Sequence, residues 1–352
     1  MRKEMNMKKK VLAVLISLAV VTGVICSCAG GAAEETDAPE SSQAAPTADI
    51  DETETSAAET TEGTEASESA DADSIYPLNY VDPYGNTVVI ESEPQTIVSV
   101  SPMVTEIIYA LGAQDKLIGR SDYDDYPMEV FDIQSVGPID LPDTELIASL
   151  QPDIVIASSI FSEEAYNALT ALGIPVAIVV DEDSFAGMFD SVQNIADLAG
   201  VHDAGVALVE ELTEEYDSYV ALQETDAEAQ DVTFYYCMSF GEFGDFTGGA
   251  GTFIDEIINL AGATNAAGDV EGWSYSAEQL IANDPTYIIV PAWAYDSFIV
   301  TEPYSSLTAV QEGRVISVDN NLFERQGPRN FEAVQIIRDA VAEYTTALDA
   351  AA

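Results

Sequence analysis

The sequence predicts an α/β protein made of two similar lobes, joined by one long helix, with a ligand cleft between the lobes. Two repeated patterns and one long helical stretch support this prediction. TEIIYALGA at 105–113 and DEIINLAGA at 255–263 share E-I-I-x-x-x-G-A. ELIASLQPDIVIA and EQLIANDPTYIIV, which begin at Glu145 and Glu278, both place Glu seven residues before Pro and a strand-like run. Two matched pairs in the same order indicate a duplicated unit.

The predicted joining helix lies between the two copies, at 201–225. Apolar residues recur at steps of three or four through 201–223, and no proline interrupts the run. These residues are Val201, Ala204, Leu208, Leu212, Tyr216, Tyr219 and Val220. A cleft between two lobes is a common place for a ligand site.

Composition limits the partners. The 352 residues are 47% hydrophobic, which is enough for two lobes that each bury a core of their own. The net charge is −52, with 63 acidic and 11 basic residues, and five of the basic residues stand in the first ten positions. Nucleic acid is excluded as a partner because phosphate contacts need Lys and Arg. Adhesion to an anionic membrane through charge is disfavoured for the same reason.

The N-terminus predicts export. A basic start is followed by an apolar run at 11–25, so residues 1–27 form a predicted signal peptide. The end of this run resembles a bacterial lipoprotein signal, with Ile25 three residues before Cys28 and Ser27 directly before it. The resemblance implies acylation of Cys28 and anchoring on the outer face of the cytoplasmic membrane. Secretion without a lipid is the alternative.

A polar segment at 28–75 follows. It consists almost wholly of Ala, Thr, Ser, Glu, Asp and Gly, and cannot bury enough apolar surface to offset its chain entropy. We expect a disordered acidic tether with a reach of about 35 to 40 Å.

The N-terminal lobe is predicted at 76–200. It begins with a β-hairpin around the turn at 82–86, and then alternates strands with helices. The predicted strands are 96–101, 116–121, 153–158 and 175–180. The predicted helices are 105–111, 163–172 and 185–198, and one more that begins at 143 and leads into the strand at 153–158. Nearly continuous apolar strands separated by helices indicate a mainly parallel sheet that is covered on both faces.

The C-terminal lobe, at 226–352, repeats this scheme. Its predicted strands are 232–240, 286–292 and 314–319, and its predicted helices are 253–260, 277–282 and 330–348. In both lobes, polar and aromatic loops follow the strands. Ligands bind at this edge of open α/β sheets.

Residues 80–342 resemble the substrate-binding proteins of bacterial ABC importers for iron-siderophores, haem and cobalamin. The matching segments include DPYGNTVVI, PQTIVSVSPMVTEIIYALGA, KLIGRSDYDDYP, PDIVIAS, GWSYSAEQLIANDP and LFERQGPR. The resemblance implies a monomeric, non-enzymatic receptor with no intrinsic cofactor. Its ligand would be a metal chelate, with a ferric siderophore favoured over a corrinoid or haem.

Four residues are predicted to contact this ligand. Arg325 can hold an anionic oxygen through paired hydrogen bonds and, by the resemblance, lies on a loop facing the cleft. Tyr123, Phe246 and Trp273 supply flat surfaces for a large, partly apolar ligand. Arg329 is expected to form an internal salt bridge instead.

The resemblance also gives Glu145 and Glu278 a role. They occupy equivalent positions in the two halves, and are predicted to meet arginines on the two subunits of the permease, one lobe to each. A first-turn Glu favoured by the helix dipole is the alternative explanation.

The remaining expectations concern metals and catalysis. His202 is the only histidine, so a direct metal site is not expected, while haem ligation by Tyr123 or Met103 stays open. A secreted hydrolase that uses paired carboxylates is the alternative function. No G-x-S-x-G motif or metal-ligand cluster supports it.

Overall fold

The computed structural model describes residues 75–180, 183–223 and 231–351. The predicted signal peptide, Cys28 and the tether through residue 74 lie outside these ranges. Within them, no helix has both the length and the apolar character that crossing a bilayer requires.

The chain begins with the predicted hairpin. Strands β1 (Leu78–Val81) and β2 (Thr87–Ile90) pair antiparallel, with Leu78 opposite Ile90. The Asp82 carboxylate accepts hydrogen bonds from the backbone N–H groups of Tyr84 and Asn86 at 3.0 and 2.8 Å. This is the turn chemistry that Asp and Asn favour.

Each lobe contains a four-stranded parallel sheet. A parallel sheet was predicted for both lobes, but only three strands were predicted for the C-terminal one. The N-terminal sheet has the order β4-β3-β5-β6 and the C-terminal sheet the order β8-β7-β9-β10. The strands of the N-terminal sheet are β3 (Ile97–Val100), β4 (Leu117–Gly119), β5 (Ile154–Ala157) and β6 (Val176–Ile178). The strands of the C-terminal sheet are β7 (Thr233–Tyr236), β8 (Thr264–Asn265), β9 (Tyr287–Pro291) and β10 (Val315–Val318). Both sheets therefore place the second strand beside the first and the third on its other side. This shared order confirms two similar lobes.

Helices cover both sheets. They are α1 (Pro102–Ala110), α2 (Thr144–Leu150), α3 (Glu163–Ala171), α4 (Phe185–Ala199), α5 (His202–Gln223), α6 (Phe253–Leu260), α7 (Ala277–Asn283), α8 (Tyr295–Phe298), α9 (Thr308–Gln311), α10 (Asn321–Glu324) and α11 (Asn330–Ala351). Helix α1 begins three residues before its predicted start, because Pro102 at the first helical position has the fixed φ angle that a helix needs.

Helices α4 and α5 form an antiparallel pair. Gly200 ends α4 with φ +73°, and the ring of Phe189 lies 6.2 Å from that of Tyr216. The axes approach closely at Gly205, where a Cβ atom would lie 2.4 Å from the Cβ of Ala196. With 22 residues, α5 is about 33 Å long.

Helix α5 connects the lobes, as predicted. Near its start, His202 Nδ1 lies 2.7 Å from Asp197 Oδ1 at the end of α4. Near its end, the Tyr219 hydroxyl donates to Gln335 Oε1 at 3.1 Å, and the Gln223 amide donates to the Asn259 carbonyl. Helix α5 therefore extends from the N-terminal lobe to helices α6 and α11 of the C-terminal lobe.

The expectation of two separate cores is wrong in part. Each lobe has a cluster of its own, but the largest apolar cluster is continuous through both lobes. The ring of Phe185, at the start of α4, lies 5.0 Å from the rings of Phe253 and Phe331. The lobes share this layer because α4 packs against α1 on one side and meets α6 and α11 at its first turn.

Candidate ligand-binding site

The segments that follow β4 and β10 meet across the interlobe groove. Arg325 Nη2 donates to the Tyr123 carbonyl at 3.2 Å, and Asn321 Nδ2 donates to Asp125 Oδ2 at 3.3 Å. The carboxyl ends of the two parallel sheets therefore face each other. This is the edge that the sequence predicted for the ligand.

One buried carboxylate holds the two lobes together beside this groove. Glu106 on α1 is 8% exposed. Its Oε1 lies 2.9 Å from Arg325 Nη1, and its Oε2 lies 3.2 Å from Arg329 Nη1. Both arginines belong to the opposite lobe. We call these three residues the Glu106 latch.

Each arginine of the latch has a second carboxylate. Arg325 Nη1 lies 2.5 Å from Asp125 Oδ1, and Arg329 Nη2 lies 3.1 Å from Asp319 Oδ2. The guanidinium of Arg329 also lies 3.8 Å from the centre of the Tyr126 ring. This distance is typical of a cation–π contact.

Burial by itself would lower the pKa of both guanidinium groups. Hydrogen bonds and charge from the neighbouring carboxylates outweigh this effect, so the pKa values of Arg325 and Arg329 are raised. Both guanidinium groups therefore stay charged at any physiological pH.

The latch changes the interpretation of Arg325. The sequence predicted that this side chain contacts the ligand, whereas its guanidinium is shared between Glu106 and Asp125 of the opposite lobe. A ligand would have to displace Asp125 to pair with it, so the ligand contact stays a prediction. Arg329 forms the internal salt bridges expected of it.

Glu106 was missed, although it is the Glu of the first E-I-I repeat. Its counterpart in the second repeat, Glu256, also joins elements across the molecule. It accepts from the Phe185 N–H at 2.9 Å and from the Tyr216 hydroxyl at 3.4 Å. Burial raises the pKa of Glu256, and the Phe185 N–H partly offsets this. The position of the two glutamates in the repeat was the available signal.

The three predicted aromatic residues lie on both sides of the groove. Tyr123 is 58% exposed, while Phe246 and Trp273 are each 41% exposed. Phe246 and Trp273 are neighbours because the Thr247 N–H donates to the Trp273 carbonyl at 3.0 Å. The segment at 324–326 lies between them and Tyr123, since Arg325 contacts Tyr123 and the residues beside it share a cavity with Trp273.

A buried aspartate supports the loop that carries Tyr123. Asp124 Oδ2 accepts from the Ser121 N–H at 2.8 Å and from the Thr105 hydroxyl at 3.2 Å. The Thr105 Oγ1 atom also lies 2.8 Å from Ser99 Oγ. The sequence DYDDYP gave no sign of which aspartate points inward.

Burial raises the pKa of Asp124 to about 6, and hydrogen bonds from Ser121 and Thr105 offset only part of that effect. Its Oδ1 atom is buried and has no hydrogen-bond partner within the described ranges. The folded protein therefore holds a proton on Asp124 at a pH where an unfolded chain releases it.

The groove between the lobes is narrow. A crevice of about 300 Å³ lies beside the latch, lined by Glu106, Tyr109, Ala110, Tyr126, Pro127, Pro328 and Arg329. A cavity of about 70 Å³ lies next to Trp273. Drug-sized ligands occupy about 300 to 1,000 Å³, so a large chelate needs the lobes to part or must sit at the groove mouth.

Glu145 and Glu278 occupy equivalent places. Each is the second residue of a helix, α2 or α7, that precedes the third strand of its sheet. Both side chains are exposed. Asp143 and Ser276 cap the two helices by accepting from backbone N–H groups three residues on. The first turns therefore have a cap already.

The other candidate groups lie away from the groove. In the described part of the chain, no group of three or more His, Cys, Asp or Glu side chains is placed to hold a metal ion. His202 pairs with Asp197 at the start of α5. Cys237, the residue directly after β7, is buried, and this burial raises the pKa of its thiol.

We predict that Glu106→Gln lowers the free energy of unfolding by about 2 to 4 kcal/mol, because two partly buried arginines lose their shared charge. Asp319→Asn removes an exposed partner of Arg329 and should lower the free energy of unfolding by less than about 1 kcal/mol. Urea denaturation of both variants measures the difference. Equal, small losses would show that the latch contributes little.

We predict that Asp124 makes the fold less stable as pH rises from about 4 to 6. Its pKa is higher in the folded than in the unfolded state, so the folded state binds more protons over this range. The free energy of unfolding of the wild type minus that of Asp124→Asn should fall over this range and level off above it. A difference independent of pH would contradict the raised pKa.

Comparison with known proteins identifies the family. The Periplasmic binding protein family matches residues 97–322. The uncharacterized ABC transporter substrate-binding lipoprotein YvrC of Bacillus subtilis (strain 168) is 31% identical over 275 residues, which are 76% of this chain and 86% of that protein. A vitamin B12-binding protein of Salmonella choleraesuis (strain SC-B67) is 28% identical over 250 residues, covering 70% and 90% of the two chains.

A solved structure shows the same fold. The periplasmic haem-binding protein RhuT from Roseiflexus sp. RS-1 superposes with a TM-score of 0.63 at 24% identity, and covers 70% of this chain and 99% of its own. The two lobes, the bridging helix and the matched residues lead to one assignment: this chain belongs to the periplasmic binding protein family.

Proposed function

We propose that this protein is the extracytoplasmic substrate-binding lipoprotein of an ABC importer, that it captures a metal chelate between its lobes, and that it delivers the chelate to the permease. One observation supports this most directly: exposed aromatic residues lie on both sides of a groove formed by the carboxyl ends of two equivalent sheets. A groove of this kind binds a flat ligand from two sides without a catalytic group.

The charges favour a neutral chelate over an anionic one. The sequence favoured an anionic ferric siderophore because Arg325, together with Tyr and Phe side chains, was expected to contact the ligand. Arg325 and Arg329 are instead held in the latch, and Lys116, Arg120, Arg314 and Arg338 have partners elsewhere. An anion would also meet the repulsion of a strongly acidic protein.

We therefore propose a corrinoid as the first ligand to test, followed by ferric siderophores and haem. The vitamin B12-binding relative from Salmonella choleraesuis supports this order. Haem ligation by Met103 loses its basis because Met103 is buried in the shared core, whereas Tyr123 is exposed and stays available.

The alternative function, a carboxylate-dependent hydrolase, gains no support. The relatives described above are named for binding and transport. We propose that Cys28 carries the lipid anchor, in keeping with the lipoprotein name of YvrC. The tether would hold the lobes near the permease.

We propose Glu145 and Glu278 as the docking residues. They are exposed, equivalent in the two lobes and outside the groove contacts described above. Two equivalent acidic residues match a permease with two-fold symmetry.

Tryptophan fluorescence tests the ligand site, because the chain has only Trp273 and Trp293. We predict that cyanocobalamin quenches the fluorescence of Trp293→Phe, which retains Trp273, and quenches Trp273→Phe much less. Trp273→Ala should weaken binding about 10- to 100-fold. Quenching that persists only through Trp293 would place the ligand elsewhere. If cyanocobalamin, ferric siderophores and haem all leave the fluorescence unchanged, the proposed ligand class is wrong.

Transport tests the docking residues. Glu145→Ala combined with Glu278→Ala should abolish uptake in cells while leaving ligand affinity unchanged, because neither residue lies at the groove. The matched control is Glu163→Ala with Asp203→Ala, two exposed acidic residues in the first turns of other helices. Normal uptake by the first double variant would remove the docking assignment.

A further inference from the structure

Gln326 is a buried polar residue that the latch does not use. It stands in the LFERQGPR segment, directly after Arg325, and is 7% exposed. Its Oε1 atom has no hydrogen-bond partner in the described part of the chain. Buried amide oxygens almost always have a partner, so an orphaned one suggests a partner that binds from outside.

This side chain lines the 70 Å³ cavity beside the groove. The other lining residues are Asp183, Met238, Phe253, Ile254, Trp273, Phe323 and Glu324. A water molecule takes up about 30 Å³ in the liquid, so the cavity has room for a group of a few non-hydrogen atoms. Because the half-exposed Trp273 forms part of the wall, a side arm of a ligand in the groove can enter it.

The lining selects for a neutral donor. Asp183 and Glu324 contribute carboxylates, and none of the eight lining residues is Lys or Arg. The two carboxylate oxygens of Glu324 already accept from the Tyr236 hydroxyl at 2.8 Å and from Asn320 Nδ2 at 2.9 Å. An entering carboxylate would be repelled by both acids, whereas an N–H donor would be attracted.

We propose that this cavity receives a primary carboxamide arm of the bound chelate, with Gln326 Oε1 accepting a hydrogen bond from the N–H of that arm. An amide is the best complement to an amide, because each presents one donor and one acceptor in a plane. This inference rests on the proposed function and narrows it: the ligand is a chelate with carboxamide side chains, as in corrinoids, and its periphery is recognised in addition to its flat face.

Calorimetric titration of matched proteins and ligands tests the proposal. The proteins are wild type, Gln326→Leu and the control Gln95→Leu, whose exposed residue lies before β3 and bonds to Glu93. The ligands are cyanocobalamin and its monocarboxylic acid derivatives, in each of which one propionamide is replaced by a carboxylate. The affinities of two proteins for two ligands form a double-mutant cycle, which isolates the contact between Gln326 and a single arm.

We expect Gln326→Leu to weaken cyanocobalamin binding about 5- to 30-fold, and Gln95→Leu to leave it unchanged. One monocarboxylic derivative should bind the wild type at least about tenfold more weakly than cyanocobalamin does. The Gln326→Leu substitution should weaken the binding of this derivative less than it weakens the binding of cyanocobalamin. The melting temperature of the ligand-free Gln326→Leu protein should be unchanged or higher, because the lost oxygen accepts no hydrogen bond from the described residues.

Three results would overturn the inference. The first is an unchanged affinity of Gln326→Leu for cyanocobalamin, which leaves the proposed function intact. The second is an equal loss for every ligand together with a lower melting temperature, which marks a structural role. The third is a wild type that binds no corrinoid, which removes this inference and the proposed ligand together.

Discussion

The geometry of the groove depends on one shared carboxylate. Glu106 is nearly inaccessible to solvent, and among the residues that the structure describes it pairs with Arg325 and Arg329 from the opposite lobe. Removing either side would leave a charge with little water around it, which is costly. The latch therefore fixes the distance between the loop that bears Tyr123 and the segment that precedes Gln326. The groove residues on both lobes take their positions from it.

The bridging helices limit how far the lobes can move. Helix α5 is continuous over 22 residues, and the apolar layer around Phe185 belongs to both lobes. A large hinge opening would break this layer, so opening should be confined to the groove side, where polar contacts hold the lobes. Exchange of Asp125 for a ligand group at Arg325 is one small movement that would widen the groove. Packed interfaces of this kind favour shear or limited rotation over wide opening.

Much of the fold could be predicted because its signals are local. Parallel strands such as β5 and β9 are runs of buried apolar residues, and the duplicated patterns gave their order. Strand β8 was missed because it has only two residues, neither of them apolar. The site was harder to predict. Tyr123 and Trp273 were predicted as ligand contacts because they are aromatic residues in loops, and they stay predictions. The pairing of Glu106 with Arg325, by contrast, joins residues 219 positions apart. No local pattern encodes such a pair. Gln326 is recognisable only from its buried Oε1 atom, which accepts no hydrogen bond from the residues that the structure describes.

We propose that a ligand is held between both lobes at once. Hydrogen–deuterium exchange with and without cyanocobalamin tests it most directly. We expect the ligand to slow exchange in the loop at 121–127 of the first lobe and in the segments at 238–247 and 271–276 of the second. Protection confined to one lobe, or found only around 75–93 and 200–204, where a cavity of about 740 Å³ lies away from the groove, would contradict it.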